Sequence, residues 1–305
     1  MKPRVLMTGA GGLIGPHAHR ALEQRGFQTV TLGRGAGNDI QADLLDEAQR
    51  RDAIRAAEAS YLMHLAWHDD PKDRWHAPEN LDWAAATIDL VRQFAASGGQ
   101  RVLCAGSCAE YDWSPEALGD TGVLREDSAL APASLYGKAK AHTGELLTAS
   151  QKDLGLTLSW ARIFFCYGPN EAPGRLLSDI TQGIVNAEPV DCTDGLQRLD
   201  FLYASDLGEA LATVLDSQLG GAVNIGSGTA KPVKDLIMGT ATLLGRPDLI
   251  RLGARSRPVL DPEVICADTT KLNSIGWSPR YSLRDGLKDC LQRQNLLPKD
   301  VKDAQ

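Results

Sequence analysis

Short apolar runs and longer amphipathic stretches alternate along the chain from its amino terminus to about residue 165. Arg4-Val-Leu-Met7 predicts a strand, Pro16 to Arg25 a helix, and Thr29-Val-Thr-Leu32 a second strand. His64-Leu-Ala-Trp67 closes a further strand, Asn80 opens a helix, and Ala105 to Tyr111 follows another strand. Ser134 to Lys140 reads as helix. Strands that alternate with helices in this way predict an α/β fold built on a doubly wound parallel sheet over residues 1–165. Beyond that point the alternation loosens. Tyr167-Gly-Pro-Asn-Glu-Ala-Pro-Gly174 is a loop rich in turn formers, and residues 166–305 are expected mainly to build a smaller carboxyl-terminal lobe. There is no internal repeat, linker or low-complexity tract.

The turn between the first strand and the first helix carries the first chemistry. Thr8-Gly9-Ala-Gly-Gly12-Leu-Ile-Gly15 spaces its glycines as Gly-x-x-Gly-x-x-Gly. Gly9 suits the tight turn, Gly12 lets backbone approach a pyrophosphate, and Gly15 allows close helix packing, while the helix amino terminus offers N–H groups to the anion. Set between strand and helix, this predicts a Rossmann dinucleotide site, with a purely structural turn as the alternative. The second strand ends in Gly33-Arg34, where an NAD-selective site would carry Asp or Glu. Arg34 suits a 2'-phosphate, so NADP(H) is favoured and NAD(H) is the alternative. Asp43 follows the next short strand, where an adenine contact and an ordinary turn residue are equally good readings. With Asp43, Leu44, Leu65 and Ala66 are assigned to the cofactor.

Tyr136 and Lys140 lie four apart in a helical stretch, on one face and about 6 Å apart along the axis. A cation beside a phenol favours the phenolate, which would make the pair an acid/base device. An exposed aromatic beside a solvated lysine is the bland reading.

With these residues in order, the chain resembles an extended short-chain dehydrogenase/reductase of the sugar-nucleotide epimerase, dehydratase and reductase group. The likeness spans nearly the whole length and continues through Arg162-Ile-Phe-Phe-Cys-Tyr-Gly-Pro169, Asp200-Phe-Leu-Tyr-Ala-Ser-Asp206, Asn224-Ile-Gly-Ser-Gly228 and Gly276-Trp-Ser-Pro279. The resemblance implies that Ser107 polarises the substrate oxygen and that Tyr136 exchanges its proton. It also implies that Lys140 tunes Tyr136 and holds the nicotinamide ribose, that Asn80 supports the lysine or the cofactor loop, and that about 200–228 return to the first domain. An ordinary strand-end hydroxyl for Ser107 and a helix cap for Asn80 are the plain alternatives.

The departures bear on the reaction. Sugar-nucleotide 4,6-dehydratases place Asp-Glu after the Ser/Thr, and this chain has Cys108 and Ala109 there. Dehydration is disfavoured, and Cys108 and Glu110 become the expected substrate-facing residues. Phe165 stands where many relatives have Asn at the diphosphate, and Leu199 replaces the arginine before Asp-Phe, with Arg198 one place away. Arg257-Pro258 resembles a later diphosphate-gripping Arg-Pro, so Arg198 and Arg257 are the expected diphosphate contacts.

Composition narrows the classes further. The chain has 305 residues, 43% of them hydrophobic, enough for two lobes. A net charge of −7 without a dense basic run argues against nucleic acid as a partner. The apolar start runs straight into the glycine turn, and no apolar stretch reaches membrane-spanning length. A soluble, cytoplasmic protein without a membrane partner is expected. Six cysteines without Cys-x-x-Cys suit a reducing compartment. His64, His68 and His76 fall on a strand end and loop, so no metal site is expected. The segment from Trp67 to Pro78 is expected to form a lid over the nicotinamide end, with tryptophan packing between lobes as the equal alternative.

The resulting expectation is an NAD(P)-dependent 4-ketoreductase, or the reverse dehydrogenase, of a nucleoside-diphosphate deoxyhexose, and the resemblance implies a homodimer. The alternatives are a sugar-nucleotide epimerase with retained NAD, a non-catalytic NADP-binding redox sensor, and a reductase of a carbonyl compound without a nucleotide.

Overall fold

The computed structural model describes residues 2–68, 70–257 and 261–297. Its first layer begins with β1 (Arg4–Thr8), α1 (Gly15–Gln24), β2 (Gln28–Gly33), β3 (Ile40–Gln41) and α2 (Glu47–Ala57). The chain continues with β4 (Tyr61–His64), α3 (Glu79–Ala96), β5 (Arg101–Ser107), α4 (Pro115–Leu118), β6 (Val123–Leu124), which joins the smaller sheet, α5 (Leu135–Ser150) and β7 (Thr157–Ile163). β1, β5 and β7 are buried almost continuously rather than on alternate residues, as central parallel strands covered on both faces must be. Helix starts follow local chemistry. Pro16 occupies the first turn of α1, and the side chains of Asp46 and Ser134 accept backbone N–H groups at the starts of α2 and α5.

After β7 come β8 (Phe165–Tyr167), α6 (Leu176–Val185), β9 (Val190–Asp191), β10 (Arg198–Tyr203), α7 (Ala204–Asp216) and β11 (Gly221–Ile225). The chain ends through β12 (Ala230–Pro232), α8 (Val233–Leu243), β13 (Ile250–Arg251), β14 (Val264–Ala267), α9 (Thr270–Asn273) and α10 (Leu283–Arg293).

Seven strands form one parallel sheet in the order β11-β7-β5-β4-β1-β2-β3. Its two faces are covered separately. One core, including Leu22, Leu207 and Leu211, lies under α1 and α7, and the other, including Ile54, Leu90 and Leu147, lies under α2, α3 and α5. α7 and β11 thus belong to the first layer although they follow β10 in sequence.

The smaller sheet runs β12-β10-β14-β6, with β8 on β10, and β9 pairs with β13 apart from it. A third core of α6, α8 and α10 residues covers this lobe. The order of the large sheet reverses between β1 and β4. A crevice at such a reversal, outside the carboxyl ends of the strands, is where open α/β sheets take their ligands.

Candidate active site

A cavity of about 1120 Å³ opens at that reversal and extends to the smaller lobe. Gly9, Gly12, Gly15, Arg34, Asp43, Leu44, Leu65 and Ala66 all line it. Gly9 has a φ of 76°, and a Cβ there would meet the backbone of Leu65 and Ala66 just after β4. A Cβ on Gly15 would collide with the carbonyl oxygens of Gly9 and Ala10, so this glycine lets α1 start against its own turn. Gly12 meets nothing nearer than the Gly9 carbonyl oxygen at 3.5 Å, which leaves backbone facing the cavity. Asp43 accepts the Leu45 N–H at 3.0 Å, as a turn aspartate does, while still lining the cavity.

The residues expected to form the acid/base group stand beside this crevice. Ser107 ends β5, and its Oγ accepts the Ala109 N–H at 3.2 Å. Ser134 caps α5 by accepting the Gly137 N–H. Gly137 packs so closely on the Ala109 carbonyl that a side chain there would clash. The start of α5 is thereby docked on the turn after Ser107, and Ser107, Tyr136 and Lys140 line one cavity. Lys140 is only 3% exposed; its ammonium donates to the Ala105 carbonyl at 2.7 Å and lies 3.6 Å from the centroid of the Trp67 ring.

The loop after β4 covers both groups. The Tyr136 N–H donates to the Trp75 carbonyl at 3.1 Å, and the two rings meet edge to face at 5.5 Å. Trp67 donates its indole N–H to Asn80 Oδ1 at 2.8 Å, and Asn80 Nδ2 donates to the carbonyls of Arg74 and Ala77. Asn80 is fully buried, is not among the residues that line the cavity, and ties the loop together through these bonds. Asp69 of this segment lies outside the described residues.

His64 bridges Thr8 Oγ1 and Thr87 Oγ1. Burial, and then the nearby Lys140 ammonium, push its pKa down to about 3, so it is neutral in the fold. His68 pairs with Asp73, and among the described residues no group of three metal-ligating side chains exists.

Of the four residues expected to face the substrate, Cys108, Glu110, Arg198 and Arg257, the structure brings only Cys108 to the cavity. Cys108 lines the cavity; burial first, then the Glu110 and Asp200 carboxylates, push its thiol pKa up and keep it protonated. Glu110 does not face the cavity. It is fully buried, accepting the Ser107 N–H, the Trp160 indole N–H and Arg162 Nε at 2.7, 2.9 and 2.8 Å. Burial raises its carboxyl pKa, and the Arg162 ion pair opposes that shift.

Arg198 is also turned away. Side chains alternate along β10, so Leu199 and Phe201 line the cavity with Gln197, whereas Arg198 is exposed and reaches the Ala230 carbonyl. Arg257 pairs with Glu263 at 3.0 Å and Asp194 at 4.0 Å and does not line the cavity. Pro258 of its motif lies outside the described residues. Arg255 lines the cavity instead, a residue the motif gave no reason to choose. Asp200 accepts the N–H groups of Ser227, Gly228 and Ala267, a structural role within the smaller lobe.

Comparison with known proteins adds the family relationship to this geometry. Residues 5–226 match the model of the NAD dependent epimerase/dehydratase family. The UDP-glucose 4-epimerase of Azospirillum brasilense is 25% identical, with 99% of this chain and 95% of that protein covered. The dTDP-glucose 4,6-dehydratase of Xanthomonas campestris pv. campestris (strain B100) is 29% identical, with 92% and 90% covered. Among solved structures, MoeE5 in complex with UDP-glucuronic acid and NAD is 30% identical, with a TM-score of 0.82 over 96% of this chain and 99% of that one.

Proposed function

Because the chain belongs to the NAD-dependent epimerase/dehydratase family, we propose that it is an NAD(P)-dependent oxidoreductase that reduces a keto group on a nucleoside-diphosphate sugar. The observation that carries this reading is one wall holding Ser107, Tyr136 and Lys140 where the two positions after the serine are Cys108 and Ala109. Elimination of water needs a base for a ring proton and an acid for the leaving hydroxyl. A thiol held protonated and a methyl group supply neither.

The cavity fits a dinucleotide. Gly12 presents bare backbone to it, α1 points its first turn at it, and Arg34 and Asp43 line its far end. A bound nicotinamide dinucleotide supplies the hydride in reduction and accepts it in the reverse direction. Tyr136 gives its phenolic proton to the carbonyl oxygen and is reprotonated from solvent. Lys140, fixed by the Ala105 carbonyl and the Trp67 face, favours the transient phenolate by its charge. Ser107 accepts the Ala109 N–H and so keeps its own proton to donate to the same substrate oxygen. Arg255 is the candidate contact for the diphosphate, because Arg198 and Arg257 are turned away or paired.

Arg34 favours NADP(H). NAD(H) is the second reading, supported by the solved relative that carries NAD. The epimerase relative supports a second reading of the reaction too, epimerisation with a retained dinucleotide. A homodimer is supported by exposed Leu81 and Leu146 on the packed helices α3 and α5.

The test is to incubate the protein and NADPH with a nucleoside-diphosphate 4-keto sugar, and separately with the unmodified hexose. Mass spectrometry is expected to show a reduced sugar in the first and no loss of water in the second. Loss of water from the hexose would overturn the proposal.

A further inference from the structure

Ser107 is in register with Ile163 at the carboxyl ends of β5 and β7. Two residues beyond Ile163, Phe165 begins β8 and is the cross-strand partner of Phe201 on β10. The two rings meet edge to face at 6.2 Å. Leu199, two residues before Phe201, shares its face of β10, and Trp113 packs on Phe165 with centroids 6.4 Å apart. The Trp113 indole N–H is spent on the Cys108 carbonyl, so the ring offers only carbon to the cavity. Trp113, Phe165, Leu199 and Phe201 are each part-exposed, and all four line the cavity. Past Ser107 along the paired strand ends, these four side chains form an apolar wall that ends at Gln197.

We propose that this wall receives a deoxygenated part of the substrate, a methyl or methylene carbon near the reacting one, and selects deoxy sugars against their fully hydroxylated counterparts. The proposal rests on the reading that the substrate is a nucleoside-diphosphate sugar. A hydroxyl pressed against these four side chains loses water and finds no partner on them, whereas a methyl group there gains by leaving water; the nearest polar side chain on this face, Gln197, lies beyond Leu199 at the edge of the wall. Phe165 and Leu199 are then specificity-determining residues for the sugar, at positions where the sequence showed only the loss of diphosphate contacts.

The test uses matched sugars that differ only at C6, UDP-glucose against UDP-6-deoxyglucose and the same pair carried on dTDP. Binding is read by calorimetry with saturating dinucleotide, and kcat/KM is read in the oxidative direction. The 6-deoxy sugar is expected to bind and to react at least about tenfold better, the scale on which an apolar pocket discriminates a single hydroxyl. In Phe165→Asn the preference should fall to about threefold or less, mainly by improvement of the hydroxylated sugar. The wild-type ratio decides the matter even if that variant fails to fold. Equal use of both sugars, or a preference for the hydroxylated one, overturns the wall's role and leaves the proposed function standing. Failure of all four sugars to bind overturns both.

Discussion

The two halves of the cavity treat their sequence motifs differently. Of the residues expected to meet the nucleotide, Gly9, Gly12, Arg34, Leu65 and Ala66 on turns after parallel strands and Gly15 at the start of α1 all line the cavity, and Asn80 within α3 does not. Of those expected to meet the sugar, Glu110, Arg198 and Arg257 are turned into ion pairs, a buried network or solvent, and the cavity is lined by their neighbours. The difference lies in how each half aims its residues. A loop at a strand end points into the crevice whatever its exact register, whereas a residue within a short strand changes sides with a shift of one. Arg198 and Leu199 are the direct example, with the charge on the outer face and the apolar side chain on the inner one.

The largest effect that sharpens this contrast is expected at Glu110. If it is a structural anchor, Glu110→Ala leaves Arg162 buried without its carboxylate and should cost about 3–5 kcal/mol of stability by urea unfolding. A substrate contact would behave otherwise. Stability within about 1 kcal/mol of wild type, together with a raised KM, would return Glu110 to the sugar side of the site.

A smaller effect separates the arginines. Arg255→Ala should raise KM for the nucleotide sugar about fivefold, the modest contribution of an exposed cation to a diphosphate. Arg198→Ala should stay within about twofold of wild type, because the side chain does not reach the cavity. The reverse ranking in steady-state kinetics would break the proposed division of the two faces of β10.

The same contrast explains what could be read from the chain before its fold was known. The alternation to residue 165 and the glycine turn are local signals, and the large parallel sheet with its crevice follows from them. β6 has only two residues, and although it interrupts the first layer in sequence it belongs to the smaller sheet with β14. β10 and β11 stand close in sequence and divide between the two sheets, which no local pattern announces. Glu110 looked accessible because it follows Ser107 within one motif. Its partner Arg162 lies on the neighbouring stretch of β7, and only the pairing of β5 with β7 brings the two together. Trp113 and Arg255 carried no motif at all, while Phe165 was legible as a departure whose meaning depended on Phe201 across the strand.

The central claim is hydride exchange at a sugar carbon, with Tyr136 moving the proton. It is tested most directly by supplying a nucleoside-diphosphate 4-keto sugar with dinucleotide deuterated at the transferring position and weighing the product. The account predicts a reduced sugar carrying one deuterium in the wild type. In Tyr136→Phe, transfer should slow at least about a thousandfold while dinucleotide affinity stays within a few-fold. A sugar product without deuterium, or undiminished transfer in Tyr136→Phe, would contradict it.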